Sequence, residues 1–266
     1  MTDLIKRVNG RFGDNSIKLF IGYRKNVYGE TKPLIFDNSE MSDQLIFDSN
    51  CTQNLTVYLN KPEIRAYKSI GLTANMNALR SLLQLSAENR LNDLIISAFV
   101  LNNGEIAELS DIYEIENFVS ANFKNDNGDF KRRITEINEM QREQRWNYWV
   151  EELKECIKCY ACRAACPMCY CDKCAIECNN PQWVPVGAHG LGNLEWHIMR
   201  AMHLAGRCIG CNECAEACPL ELPINLLTAK LSQDIEDVFG MAAGMKAKSD
   251  YVLSTYKFDD KESFIR

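Results

Sequence analysis

The sequence lacks a long hydrophobic run. Its longest near-apolar stretch, "LIISAFVL" from Leu94, is far too short to cross a bilayer. The start, "MTDLIKRVNGRFGD", has no apolar centre and does not read as a secretory signal. There is no basic excess either: a net charge of −6 offers no broad field for nucleic acid or anionic lipid. No Ser/His/Asp set, carboxylate pair or G-x-G-x-x-G after a strand stands out, so no catalytic residue is assigned. Histidine is scarce: His189, His197 and His203 each lie outside a ligand-spaced pair and are read as packing or hydrogen-bonding residues. These features, with 46% hydrophobic and 25% charged residues in a chain of 266, describe a soluble globular protein, expected in the cytoplasm.

Cysteine, by contrast, is abundant. Twelve of the thirteen cysteines lie between Cys156 and Cys218. An odd count without a secretion signal argues against a disulfide framework, and crowded free thiols would be an oxidation hazard, so metal is expected. The spacing is an internal repeat. "CIKCYACRAACP" (156–167) and "CIGCNECAEACP" (208–219) both obey C-I-x-C-x-x-C-x-x-A-C-P. Three cysteines at steps of three wrap one face of an iron–sulfur cube, and the fourth, before proline, ligates the other cube in two-cluster ferredoxins. Crossed ligation assigns Cys156, Cys159, Cys162 and Cys218 to a first 4Fe-4S cluster. Cys208, Cys211, Cys214 and Cys166 then hold a second. Zinc sites more often take two cysteines from each segment.

Cys169, Cys171, Cys174 and Cys178 are left over. Four thiolates suffice for a third 4Fe-4S cluster or a tetrahedral zinc, with unligated thiols as the remaining reading. Cys51 is an alternative to Cys178 as the last ligand. The motif spacers differ in charge, with Lys158 and Arg163 in the first and Glu213 and Glu216 in the second. That predicts an easier reduction of the first cluster, unless all four side chains are solvated and screened.

The remaining pattern is α+β. "SIKLFIGY", "KPLIFD", "NLTVYL" and "DLIISAFVL" read as strands, and "NMNALRSLLQLSAENR" as a helix with Met76, Leu79, Leu82 and Leu83 on one face. Strand, helix and strand in that order predict a parallel crossover. "SDIYEIENFVSANF" predicts a capped helix, and "DFKRRITEINEMQREQRWNYWVEEL" one amphipathic helix leading into the cysteines. In this reading Trp146, Tyr148 and Trp149 pack beside the cluster region. "GAHGLG" (187–192) reads as a loop, and "INLLTAKLSQDIEDVFG" as a helix ended by Gly240. The polar stretch "KNDNGD" (124–129) divides a small α/β domain, 1–128, from a mostly helical dicluster domain, 129–266.

The two motifs, the insert between them and the helix after "CPLELP" resemble helical dicluster ferredoxin domains. The wider stretches "RWNYWVEELKECIKCYACRAACPMCYCDKC" and "HIMRAMHLAGRCIGCNECAEACPLELPINLL" are similar to iron–sulfur proteins related to the beta subunit of deazaflavin-reducing hydrogenases and formate dehydrogenases. That resemblance implies a subunit of a heterodisulfide-reductase-like, electron-bifurcating complex, relaying electrons between a flavin-containing partner and another redox module. "CTQNLTVYLNKPEIRAYKSIGLTANMNALRSLLQ" resembles the first domain of the same family, but "KSIGLTANMNAL" lacks the family's cysteine before the helix. The first domain is therefore read as a scaffold without an assigned cofactor. The alternative is a flavin-dependent subunit oxidising a nicotinamide or deazaflavin cofactor.

Overall fold

A computed structural model describes residues 2–124, 128–178 and 180–249. Residues 125–127, within the stretch taken as a domain boundary, and 250–266, at the end of the expected second domain, lie outside the described residues.

The fold is α+β, as expected, and its sheet lies wholly in the first part of the chain. After α1 (Thr2–Gly13) come β1 (Leu19–Lys25), β2 (Thr31–Phe36), the one-turn α2 (Pro62–Arg65) and β3 (Ser69–Thr73). α3 (Met76–Ala87), β4 (Ile95–Asn102), β5 (Glu105–Leu109) and α4 (Ile112–Asn122) follow. The sheet order is β2-β1-β3-β4-β5, with β1, β3 and β4 parallel and an antiparallel strand at each edge. The expected crossover is therefore present as β3–α3–β4. Its first strand is "SIGLT", where Gly71 sits beside Phe20 of β1. A Cβ on Gly71 would lie 2.7 Å from that ring, so glycine is needed here for close packing, although it weakens the strand signal.

"NLTVYL" is not a strand. It forms a 3-10 turn, Leu55–Asn60, because the Asn54 side chain accepts from the Thr56 amide at 3.3 Å and from its hydroxyl. This local bond closes the backbone before a strand partner can pair with it.

α3 is central. Asn75 caps it by accepting from Ala78 N at 2.9 Å, worth about 1 kcal/mol. Every residue from Ala78 to Leu85 is buried. Leu79, Leu82 and Leu83 face the sheet core, as predicted. The rest of its circumference is covered by α4, by the Leu55–Asn60 turn and by the cysteine-rich part of the chain, where Leu85 packs with Met168 and Leu204. A helix buried all round belongs to an interior, not to a surface.

Beyond residue 127 the chain is helical: α5 (Gly128–Glu139), α6 (Arg142–Lys154), α7 (Ala161–Ala164), α8 (Gly190–His203), α9 (Glu213–Glu216) and α10 (Ile224–Phe239). The expected single helix before the cysteines is broken at Met140–Gln141, where Gln141 is extended. α5 lies against α10 and α6 against α8. One straight helix could not serve both stripes. α10 ends at Gly240 in the left-handed region, φ +66°, as the glycine signal required. "GAHGLG" is only half loop: His189 caps α8, and Gly190 and Gly192 lie within its first turn. The chain then returns to the sheet region, where Ala247 enters its core and its amide donates to Glu116 at 2.8 Å.

Candidate iron–sulfur centre

The sequence repeat is also a repeat of backbone. In the first motif Lys158 and Tyr160 have φ of +51° and +59°, and in the second Gly210 and Asn212 have +73° and +65°. Each pair brackets the second cysteine of its motif and leads into a one-turn helix, α7 or α9. Gly and Asn adopt this region readily, whereas a tyrosine there is strained. Alternating left-handed residues turn successive N–H groups inward to form an anion-binding hollow, a device common at Fe–S sites. One such N–H, from Lys158, donates to the Cys156 sulfur at 3.3 Å.

α7 and α9 pack on each other, bringing the motifs together. Cys166 lines one cavity with Cys208, Cys211 and Cys214, so the crossed second set shares a single space. The buried Cys162 and the partly buried Cys156 and Cys218 pack in a second cluster of side chains, which Cys214 also joins, while Cys159 is exposed. Burial pushes the Cys162 thiol up to about 11 and the Cys211 and Cys214 thiols up to about 12, and neighbouring cysteines push in the same direction. Crowded, half-buried thiols of this kind suit a polynuclear cation, which binds thiolates and releases their protons. Among the described residues, no three His, Cys, Asp or Glu side chains converge on a single-ion site. An all-thiol donor set is what an iron–sulfur group takes; the second set shares one cavity and fits such a group, while Cys159 of the first set is exposed.

The surplus cysteines are dispersed. Cys169 lies with Cys166 and Cys208. It accepts from the Cys166 thiol, and this bond, reinforced by Arg200 and Arg207 against the cost of burial, lowers it to about 6. Cys174 packs with the first set, and Cys171 and Cys178 are exposed. Cys51 is 3% exposed within the sheet core, with its sulfur accepting from Asp48 N at 3.4 Å.

Each motif has its own supporting helix. Asn193 of α8, fully buried, donates to the carbonyls of Lys154 and Cys156 at 2.9 and 2.7 Å. Arg200 of α8 donates to the Cys162 carbonyl at 3.0 Å. For the second motif, Ser232 of α10 donates to the Cys208 carbonyl at 3.3 Å. The sheet region holds both motifs as well. Asn60 donates to the Pro167 carbonyl at 2.8 Å, Arg80 to the Ile209 carbonyl at 2.6 Å, and Asn54 N to Glu213 at 2.8 Å.

These supports were not read from the sequence. The available signal was the spacing of Asn193, His197 and Arg200, which puts three polar side chains on one helical face. His189 serves as a cap. His197 is 3% exposed, its Nε2 has no partner, and burial followed by the nearby Arg200 and Lys158 lowers it to about 4. The spacer charges are not uniformly solvated. Lys158 is buried and donates to the Pro185 carbonyl, Arg163 pairs with Glu177 at 2.9 Å, and of the four only Glu216 is exposed. Trp149 packs in the same group of side chains as Cys156, Cys162 and Cys218, with Tyr148 edge-on at 5.1 Å, but Trp146 is 54% exposed.

Among the described residues no helix is long and apolar enough to cross a membrane. No family model matches the chain. The chain is similar to the F420-dependent formate dehydrogenase subunit beta of Methanocaldococcus jannaschii, 31% identical over 80 residues. That match covers 30% of this chain and 21% of the relative, so the aligned part spans about a fifth of the relative's length.

Proposed function

We propose that the chain is an electron-transfer subunit of an oxidoreductase complex, holding two 4Fe-4S clusters by crossed ligation. The observation that carries this reading is the convergence of Cys166 with Cys208, Cys211 and Cys214 on one cavity, although Cys166 lies 42 positions before Cys208. When bound, the clusters supply one-electron redox chemistry. The chain's own residues do the rest. Left-handed turns aim amides at the sulfurs, α8 and α10 fix the motif carbonyls, and the sheet region braces both motifs as a scaffold. Cys159, the exposed ligand, marks where the first cluster comes nearest solvent. Cys169, Cys171, Cys174 and Cys178 are the donors left for a third metal site, a 4Fe-4S cluster or zinc.

The partner is a flavin-containing, heterodisulfide-reductase-like subunit. The similarity to a dehydrogenase beta subunit supports membership of a complex, as do Trp146, Ile198, Met199 and Met202, apolar yet exposed on α6 and α8. Purification from the source cell with attached partners tests this reading: recovery of the chain alone, with its own flavin, would overturn it.

One observation favours a second reading. A cleft of about 500 Å³ lies at the carboxyl ends of β3 and β4, lined by Asn75, Asn77 and Asn102. Parallel sheets commonly bind ligands at that end. In this reading the cleft holds a flavin that oxidises a nicotinamide or deazaflavin cofactor, and flavin bound to the isolated chain would distinguish the two.

A further inference from the structure

α8 buries three polar side chains beside the apolar Leu194, Trp196 and Ala201. Its outer face carries Leu191, Ile198, Met199 and Met202, all exposed. Its inner face carries Asn193, His197 and Arg200, at 0%, 3% and 5% exposure. Burying a guanidinium is costly unless its charge and N–H groups find partners. Arg200 finds partners in the Cys162 carbonyl and the Cys169 sulfur, while its buried Nε has none. No carboxylate is paired with it among the described ion pairs. The groups around it are sulfurs. It lines the cavity of Cys166, Cys208, Cys211 and Cys214, and through Cys162 it also touches the first ligand set.

We propose that Arg200 is the shared counter-charge of both ligand sets, raising the reduction potential of the iron–sulfur groups held there. The proposal rests on the electron-transfer reading above. Each electron added to a thiolate-bound cube makes it more negative, and a fixed cation inside the same water-poor space favours that change. The unpartnered Nε–H is a donor available to a cluster or thiolate sulfur, a bond that acts in the same direction. Arginine suits the position better than lysine because its planar fork can face two sets at once and stays protonated.

The test compares wild-type protein, Arg200→Gln and Arg200→Lys, purified without oxygen and titrated with EPR detection. Arg200→Gln is expected to make reduction of at least one cluster about tenfold less favourable, a fall of about 59 mV. Arg200→Lys recovers most of that shift. Potentials unchanged in a fully iron-loaded Arg200→Gln protein would overturn the proposal. If Arg200→Gln does not retain iron, wild-type protein carrying 15N-arginine decides: pulsed EPR of the reduced state shows an arginine nitrogen coupled to a cluster, and its absence would overturn the proposal. Wild-type protein without iron and sulfide would instead remove the electron-transfer reading itself.

Discussion

Arg207, the residue before Cys208, is held by Glu88 at the end of α3 through bonds of 2.9 and 2.7 Å. Tyr170, one residue beyond Cys169, donates to the same carboxylate, and its ring lies 5.0 Å from the Arg207 guanidinium. One acidic side chain of the sheet region thus braces the second motif and the start of the insert. Its side chain is 6% exposed and that of Arg207 23%. Replacing Glu88 by alanine removes the arginine's carboxylate and is expected to cost about 3 kcal/mol, the lower end for breaking a buried pair. Thermal unfolding of the loaded protein measures it, with a loss under about 1 kcal/mol counting against this bracing role.

Glu88 also predicts a pH dependence. Burial alone would raise its carboxyl, but the Arg207, Gln84 and Tyr170 donors outweigh burial and lower it below the ordinary value of 4.5. A carboxyl lowered in the fold contributes stability that is present above the unfolded pKa and lost as pH falls through the folded one. Glu88→Gln should therefore flatten the stability profile below about pH 4.5. An acid limb identical to that of the wild type would show that the pairing contributes nothing there.

Crossed ligation gives a pattern that uncrossed ligation cannot. Cys218→Ser is expected to damage the cluster held by Cys156, Cys159 and Cys162, leaving the signal of the other intact. Cys166→Ser should do the reverse. EPR of each reduced variant, assigned against Cys159→Ser and Cys211→Ser, reads the outcome. If Cys218→Ser matches Cys211→Ser instead, each motif ligates its own cluster.

The buried Lys158 stands beside Cys156, and burial lowers its pKa even though that cysteine opposes the shift. In the second motif Glu213 and Glu216 take the corresponding region. The first cluster should be the more easily reduced, and Lys158→Met should lower its potential by about 59 mV, a tenfold change. Equal midpoints in the wild-type protein would remove this asymmetry.

The cysteine repeat was legible because the same spacing folds the backbone the same way twice. The crossover was legible from Leu79, Leu82 and Leu83, whose helical period survives burial. What failed was decided by contacts distant in sequence or by one side chain. Leu55, Val57 and Leu59 alternate as a strand would, yet Asn54 folds them into a 3-10 turn. The apolar residues of 130–153 share one helical period, but they face α10 in one half and α8 in the other. Arg200 carries no motif at all. Its meaning comes from burial among sulfurs contributed by segments on both sides of it, which only the fold reveals.

Cys51 sits in the sheet core with Asp48 and the Ile46 carbonyl as its neighbours. Cys51→Ala should therefore leave the metal content unchanged, whereas Cys174→Ser should lower it if the insert holds a third metal. A loss of metal from Cys51→Ala would move that ligand set into the sheet region.

Iron, acid-labile sulfide and zinc analysis of the protein purified without oxygen, with EPR of the reduced state, tests the central claim most directly. Two cubes predict at least about eight irons and about eight sulfides per chain, with spin-coupled signals from neighbouring clusters. Zinc without sulfide at the repeated cysteines would contradict it.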